Sequence, residues 1–198
     1  MKRDLPAGFS FEAEAVVLGA SAGGIGALLA FLAPLRPPLA GAIIGVLHLA
    51  DNHESRLVQV FGHRLRVPVC EAQPHAPVEK GWVHFAPPGY HLLVEPDRSF
   101  SLSCDPPVLF SRPSIDVLFE SCAEAWGERL VGVLLTGANE DGARGLATIK
   151  ALGGLTAVQD PAEAAHPAMP EAAIRLAHPE FALPLAGLGA LLHTVVQR

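Results

Sequence analysis

Short apolar runs alternate with helix-like patterns along most of the chain, and the first such pair is the clearest. An apolar run at residues 15–18 leads into Gly19-Ala20-Ser21-Ala22-Gly23-Gly24, and apolar side chains then recur at helical spacing over residues 28–32. This order predicts a strand, a tight glycine-rich turn and a helix.

The same alternation returns before the middle of the chain. Residues 42–47 form an apolar run that ends at His48, the polar residues 51–54 are a candidate helix start, and residues 67–69 form another extended run. Short apolar strands separated by helices indicate a mostly parallel sheet. We therefore expect a doubly wound α/β fold with helices on both faces of the sheet.

The middle of the chain breaks this alternation. Residues 82–85 and 90–94 flank the turn signal Pro87-Pro88-Gly89, and residues 100–103 form the next extended stretch. Extended segments joined by such turns are typical of antiparallel strands. This part of the sequence predicts a small antiparallel hairpin insertion.

The α/β alternation then resumes and continues to the C-terminus. Pro113 suits the first turn of a helix, and residues 130–135 form a strand that runs into Thr136-Gly137. A helix over residues 142–152, a strand over 155–158 and a Pro/Ala-rich loop over 160–170 follow, and then short helices and one more strand. With no internal repeat and no linker, residues 1–198 are expected to form a single domain.

Composition and charge exclude several classes of protein. Half of the residues are hydrophobic and 17% are charged, as in globular proteins. The net charge is −6 and no Lys/Arg cluster occurs, which argues against a surface for nucleic acid or for an anionic membrane. Because the sequence has no signal-peptide pattern and no apolar stretch that spans a bilayer, we expect a cytoplasmic protein without membrane insertion.

The cysteines give no sign of a metal site. Cys70, Cys104 and Cys122 lie far apart and form no C-x-x-C pattern. This spacing disfavours both a disulfide framework and a zinc knuckle. We expect neither a metal nor a cofactor.

The strongest candidate for chemistry is Gly19-Ala20-Ser21-Ala22-Gly23, a G-x-S-x-G pattern where a strand turns into a helix. Such a turn projects the serine hydroxyl from the sheet edge, and the helix N-terminus offers N–H groups to a developing oxyanion. A sharp turn with close helix packing would also explain the glycines. The same segment resembles the phosphate-binding turn of short-chain dehydrogenases, but their Tyr-x-x-x-Lys pair cannot form because Val94 follows Tyr90, the only tyrosine, by four residues. Nucleotide binding without that chemistry remains an alternative.

A serine nucleophile needs a base, and imidazole suits this role because its pKa lies near neutrality. Nine histidines are candidates. His48 is favoured because it ends a predicted parallel strand, at the same sheet edge as Ser21, where ligands bind in open α/β sheets. His166 lies in the long loop and is a candidate for substrate contact.

A carboxylate at the same edge would orient the imidazole and balance its charge. Asp141 follows the strand at residues 130–135 through a polar loop, and Glu140 is a neighbouring alternative. The other interpretation of Asp141 is the N-cap of the next helix. Candidates at three separate strand ends favour a catalytic set of Ser21, His48 and Asp141.

Further motifs extend this pattern in a fixed order over residues 13–190. They are Gly19-Ala20-Ser21-Ala22-Gly23-Gly24, the strand ending at His48, Phe85-Ala86-Pro87-Pro88-Gly89-Tyr90-His91, Arg112-Pro113-Ser114-Ile115-Asp116-Val117-Leu118-Phe119, Leu135-Thr136-Gly137, Asp141-Gly142-Ala143, Asp160-Pro161 and Met169-Pro170. Together they resemble the catalytic domain of the chemotaxis protein-glutamate methylesterase family, CheB.

This resemblance implies a function and a set of site residues. It implies hydrolysis of glutamate 5-methyl esters, and deamidation of glutamine, on the cytoplasmic helices of a methylated chemoreceptor or a similar signalling protein. By motif position the triad falls on Ser21, His48 and Asp141. Backbone N–H groups near Ala22 and Ala138 would form the oxyanion hole, and Gly137 and His166 are further candidates for the substrate site.

The sequence also departs from the family pattern. Ala22 stands where the family commonly has Thr and Ala138 where it has Met, so side-chain contacts change while the backbone donors remain. Residues 49–52 replace a segment that usually carries Pro and Gly. Since only about 14 residues precede the first strand, we expect no phosphorylatable receiver domain in this chain. The alternatives are a non-catalytic receptor-binding adaptor with the same fold and an esterase for another small ester.

Overall fold

The computed structural model describes residues 1–48 and 56–197. Seven strands form one parallel sheet in the order β3-β4-β2-β1-β7-β8-β9. In chain order these strands are β1 (Ala15–Ala20), β2 (Ala42–Leu47), β3 (Val69–Glu71), β4 (Val83–Phe85), β7 (Leu130–Leu134), β8 (Leu155–Gln159) and β9 (Phe181–Leu183).

Helices cover both faces of this sheet. They are α1 (Gly24–Leu32), α2 (Leu57–Gly62), α3 (Ile115–Trp126), α4 (Ala143–Ala151), α5 (Ala168–Ala177) and α6 (Leu185–Val196). Side chains of β1 point alternately into two separate cores: Val16 and Leu18 pack with α1 and α6, and Ala15 and Val17 pack with α3, α4 and α5. Because helices cover both faces of the sheet, every residue of β1, β2, β7 and β8 is buried. The predicted doubly wound α/β class is confirmed.

A two-stranded hairpin interrupts the parallel sheet. Its strands are β5 (His91–Val94) and β6 (Phe100–Ser103), which pair antiparallel. The predicted insertion is therefore confirmed for these two strands, but its assignment of residues 82–85 was wrong. Val83–Phe85 is fully buried and pairs in parallel with β2 and β3, because the long loop after β3 carries the chain across before β4 begins.

Two other boundaries differ from the sequence-based expectation. The strand expected at residues 67–69 begins only at Val69, and the loop expected over residues 160–170 ends early because α5 begins at Ala168. Pro170 is tolerated in the first turn of α5, where its missing N–H would have had no helical partner. The candidate helix start at residues 51–54 lies outside the described residues, and α2 begins at Leu57.

Candidate active site

The candidate residues meet where the chain order of the sheet reverses. Strand β1 lies between β2 and β7, so the carboxyl ends of these three strands are neighbours. The Ser21 N–H donates to the Thr136 carbonyl after β7 (2.9 Å), and the His48 N–H after β2 donates to the Ala20 carbonyl (3.1 Å). Ligands of open α/β sheets bind at such a switch point. The backbone thus brings Ser21, His48 and the loop after β7 to one edge.

Ser21 stands in a turn that only small residues can make. Gly23 has φ of 78°, and a Cβ there would lie 2.9 Å from the Cβ of Ala165. A Cβ on Gly24 would lie 2.6 Å from Cδ1 of Leu47, which shows how closely the start of α1 approaches β2. The Gly24 N–H donates to the Ser21 carbonyl at 2.7 Å, so the turn closes around the serine. Ser21 is half-buried, and within residues 1–48 and 56–197 its hydroxyl makes no hydrogen bond.

The imidazole of His48 is held by a buried carboxylate. His48 Nε2 lies 2.9 Å from Oδ2 of Asp141, whose side chain is fully buried. The same carboxylate accepts from the Ser114 hydroxyl (2.9 Å) and from the backbone N–H groups of Ile115 (2.7 Å) and Asp116 (3.0 Å). Burial alone would raise the pKa of Asp141, but the hydrogen bonds from His48 and from these backbone groups outweigh it and lower the pKa. Asp141 is therefore a fixed, ionised acceptor.

The interpretation of Asp141 as the N-cap of the next helix was wrong. The residue before α4 is Gly142, which makes no side-chain cap. Asp141 instead binds the first N–H groups of α3, while the carboxylate of Asp116 in α3 accepts from the N–H groups of Gly142 (2.9 Å) and Gly145 (2.8 Å) at the start of α4. Asp116 in α3 thus binds the start of α4, and Asp141, just before α4, binds the start of α3.

Asp116 has a different electrostatic state from Asp141. Burial, together with the nearby charge of Asp141, raises the pKa of Asp116 to about 6, although the Gly145 N–H opposes this shift. Two buried carboxylates so close together favour one ionised and one more readily protonated group. The one that keeps its charge is Asp141, which contacts His48.

A hydroxyl that sequence reasoning missed contacts the imidazole. Ser111 Oγ lies 3.3 Å from His48 Nδ1. Ser111 ends a tight turn in which Leu109 and Phe110 both have positive φ (48° and 65°), and Phe110 is fully exposed. The turn contains neither Gly nor Asn, so the sequence carries no conventional signal for it.

The loop after β7 is fixed by contacts between backbone and side chains. The Thr136 hydroxyl donates to the carbonyl of Ala22 (3.0 Å) and accepts from the His166 N–H (2.8 Å), and the Gly137 N–H donates to the His166 carbonyl (3.0 Å). His166 therefore contributes backbone groups here, while its ring is exposed. In the part of the chain that the structure describes, the N–H groups of Ala22 and Ala138 make no hydrogen bond and so remain available as donors.

Comparison with known proteins assigns this arrangement to a family. Residues 16–192 match the sequence profile of CheB methylesterase. The chain belongs to the CheB methylesterase family. A CheB-type relative from Leptospira interrogans, a putative protein-glutamate methylesterase/protein-glutamine glutaminase, is 42% identical over 90% of this chain and 92% of its own length. The Thermotoga maritima CheB methylesterase catalytic domain superposes with a TM-score of 0.86 at 25% identity, covering 91% of this chain and 97% of that domain.

Other CheB relatives are longer than this chain. The protein-glutamate methylesterase/protein-glutamine glutaminase of Symbiobacterium thermophilum is 35% identical over 93% of this chain, and the protein-glutamate methylesterase FrzG of Myxococcus xanthus is 35% identical over 89%. The chain spans about half of each of these proteins, 51% and 53% respectively. The alignable part is therefore the region that matches the CheB catalytic domain.

The described part of this CheB-type domain contains neither a membrane-spanning helix nor a cluster of metal ligands. Across residues 1–48 and 56–197, no helix is long and apolar enough to cross a membrane. The same residues hold no group of three or more His, Cys, Asp and Glu side chains placed to bind a metal ion.

Proposed function

We propose that this chain is a serine hydrolase that cleaves glutamate 5-methyl esters on a chemoreceptor-like signalling protein in the cytoplasm, with Ser21 as nucleophile, His48 as general base and Asp141 as its partner. The observation that carries this proposal is the 2.9 Å contact between His48 Nε2 and buried Asp141, at the strand end next to Ser21. The assignment of relatives as protein-glutamate methylesterases/protein-glutamine glutaminases supports the substrate class and also supports deamidation of glutamine.

The position of Asp141 determines which imidazole nitrogen acts as base. An ionised carboxylate only accepts, so His48 Nε2 carries the hydrogen and Nδ1 has the free lone pair. Nδ1 therefore receives the Ser21 proton as Oγ bonds to the ester carbonyl carbon. Asp141 stabilises the imidazolium that forms, as in other triads.

The rest of the reaction reuses the same groups. The tetrahedral intermediate collapses when the carbon–methoxy bond breaks, and methanol leaves with the proton from Nδ1. Water then attacks the acyl-enzyme, Nδ1 takes a proton from it, and Ser21 leaves with that proton to release the glutamate carboxylate. For a glutamine substrate, ammonia replaces methanol as the leaving group.

The free N–H groups of Ala22 and Ala138 are the proposed oxyanion donors. Ala22 follows the nucleophile directly, and Ala138 lies in the loop that Thr136 ties to it through the Ala22 carbonyl. One such donor is worth about 3 kcal/mol in comparable hydrolases. Because the donors are backbone groups, the alanines found here do not remove them.

The test measures methanol release from a methylated chemoreceptor cytoplasmic fragment by the wild type, Ser21→Ala and His48→Ala. Ser10→Ala and His193→Ala serve as matched controls, because both residues are exposed and away from the strand ends. We expect release by the wild type and the controls and its loss in both site variants. Folded wild type that releases no methanol would contradict the esterase proposal and favour the adaptor or another ester substrate. Retention of activity in Ser21→Ala would remove Ser21 from the mechanism.

A further inference from the structure

One serine hydroxyl contacts the acceptor nitrogen of His48, and it is not that of Ser21. Ser111 Oγ lies 3.3 Å from His48 Nδ1, whereas the hydroxyl of Ser21 has no hydrogen-bond partner within the described residues. Because Nε2 donates to Asp141, Nδ1 is the ring's single acceptor. Its lone pair is therefore bound by a serine that is not the proposed nucleophile.

A flip of the imidazole ring is not an alternative to this arrangement. A ring flip would exchange Nε2 for Cε1 and place a C–H group against Asp141 Oδ2, which also accepts from the Ile115 N–H. It would break the 2.9 Å bond to a fully buried, charged group, and bonds to charged groups contribute about 1.5–3 kcal/mol. Nδ1 thus stays directed away from Asp141 and toward the Ser111 hydroxyl.

Ser111 itself is held in place by a strained turn. Val108 and Ser111 exchange two backbone hydrogen bonds (3.1 and 2.8 Å), and the two residues between them have left-handed φ values without being glycine. Arg112 donates to the carbonyls of Cys104 (3.0 Å) and Asp105 (3.1 Å) and fixes the base of the turn. Non-glycine residues in this conformation cost about 1–2 kcal/mol each, so surrounding contacts must hold them there.

We propose that Ser111 is a positioning residue that binds the Nδ1 lone pair of His48 in the resting protein and must release it before Ser21 can react. The proposal rests on the proposed function, since it assigns Nδ1 as the base for Ser21. Removal of the Ser111 hydroxyl leaves Nδ1 to Ser21 alone, while Asp141 still orients the ring. Ser21 then becomes more reactive in the variant than in the wild type.

A fluorophosphonate probe tests this without any receptor. Ser21 Oγ bonds to phosphorus as fluoride leaves, and the serine proton passes to Nδ1. The second-order rate of labelling at the Ser21 peptide is measured by mass spectrometry for the wild type, Ser111→Ala and Ser111→Thr, with exposed Ser10→Ala as control. A hydrogen bond of about 0.5–1.5 kcal/mol corresponds to labelling about 2- to 10-fold faster in Ser111→Ala. Ser111→Thr, which restores a hydroxyl, returns the rate to that of the wild type.

Equal or slower labelling of Ser21 in folded Ser111→Ala would overturn the proposal. If Ser21 is not labelled in any variant, the proposed function fails, and the nitrogen NMR shifts of His48 then decide the role of Ser111 separately. Substitution of Ser111 by Ala must move the Nδ1 resonance more than the Nε2 resonance, because only Nδ1 faces the hydroxyl. Unchanged Nδ1 in that spectrum would refute the contact itself.

Discussion

The substitution Asp141→Asn separates the chemical and structural roles of this carboxylate. Asp141 accepts four hydrogen bonds, two on each oxygen: Oδ2 from His48 and Ile115, and Oδ1 from Ser114 and Asp116. An amide keeps one acceptor oxygen and turns an NH₂ donor toward the other pair. If the NH₂ faces Ser114, that hydroxyl can rotate, but the Asp116 N–H loses its acceptor. If it faces His48, the imidazole is driven to the wrong tautomer and the Ile115 N–H loses its acceptor.

Either orientation therefore leaves at least one buried N–H unpaired, which costs about 1–3 kcal/mol of unfolding free energy. The wrong orientation also removes the base, and the same change in another serine hydrolase lowers kcat about 10⁴-fold. The lowered pKa of Asp141 means that its ionised form stabilises the fold above its unfolded pKa, and this stabilisation is lost as pH falls through the folded pKa. Asp141→Asn removes that particular acid sensitivity.

Urea unfolding between acid and neutral pH and methanol release at a temperature where the variant is folded measure the two effects. Exposed Asp105→Asn is the control and should change neither quantity. A folded Asp141→Asn protein with more than a tenth of wild-type activity, or with wild-type stability, would refute the assigned hydrogen bonding.

Three other perturbations have defined outcomes. Asp116→Asn keeps an acceptor for α4 but removes a carboxyl group with a pKa of about 6. The contribution of this group to stability falls as pH rises from about 4 to about 6, so that fall should disappear from urea unfolding of the variant. An unchanged dependence of stability on pH would contradict the raised pKa. Gly24→Ala puts a Cβ 2.6 Å from Leu47 and should lower the free energy of unfolding by about 1–3 kcal/mol. Gly26→Ala, whose Cβ would have no atom within 4 Å, should leave it unchanged or raise it by up to about 1 kcal/mol. Equal shifts of the melting temperature in the two variants would argue against the close packing at Gly24. Phe110→Ala removes a fully exposed ring on the turn beside the site. The KM for a receptor fragment should rise about 2- to 10-fold, while the rate of labelling by a small phosphonate stays unchanged. Loss of both receptor turnover and phosphonate labelling would indicate misfolding instead.

The sequence predicted those parts of the fold that depend on local pattern. The runs at β1, β2 and β7 are uniformly apolar because both faces of the sheet are covered. The glycine-rich turn after β1, followed by apolar residues at helical spacing, predicted the helix that follows. The run at 82–85 was misassigned because an apolar segment of four residues looks the same in a hairpin and in a parallel sheet. The strands that this segment pairs with depend on the path of the preceding loop, and that loop has no periodic pattern in the sequence.

The site shows the same division. Ser21, His48 and Asp141 each end or follow a strand, so the rule for parallel sheets was enough to place them at one edge. Ser111 contacts the same imidazole from a turn whose strained backbone is imposed by its surroundings, and Asp116 acts through a helix that the sequence places far from Asp141. Contacts that depend on tertiary packing between distant segments leave no pattern in a single sequence.

The exchange of carboxylates between α3 and α4 couples the motion of the two helices to the integrity of the site. Neither helix start can open without withdrawing the acceptor that the other requires, since Asp141 binds the amides of Ile115 and Asp116 while Asp116 binds those of Gly142 and Gly145. Amides tied in this way are released from exchange protection as one cooperative unit rather than by independent fraying. The carboxylate that holds the His48 imidazole therefore stays in place only while both helix starts are folded, and a fluctuation that frees it also opens the two helices that pack around it.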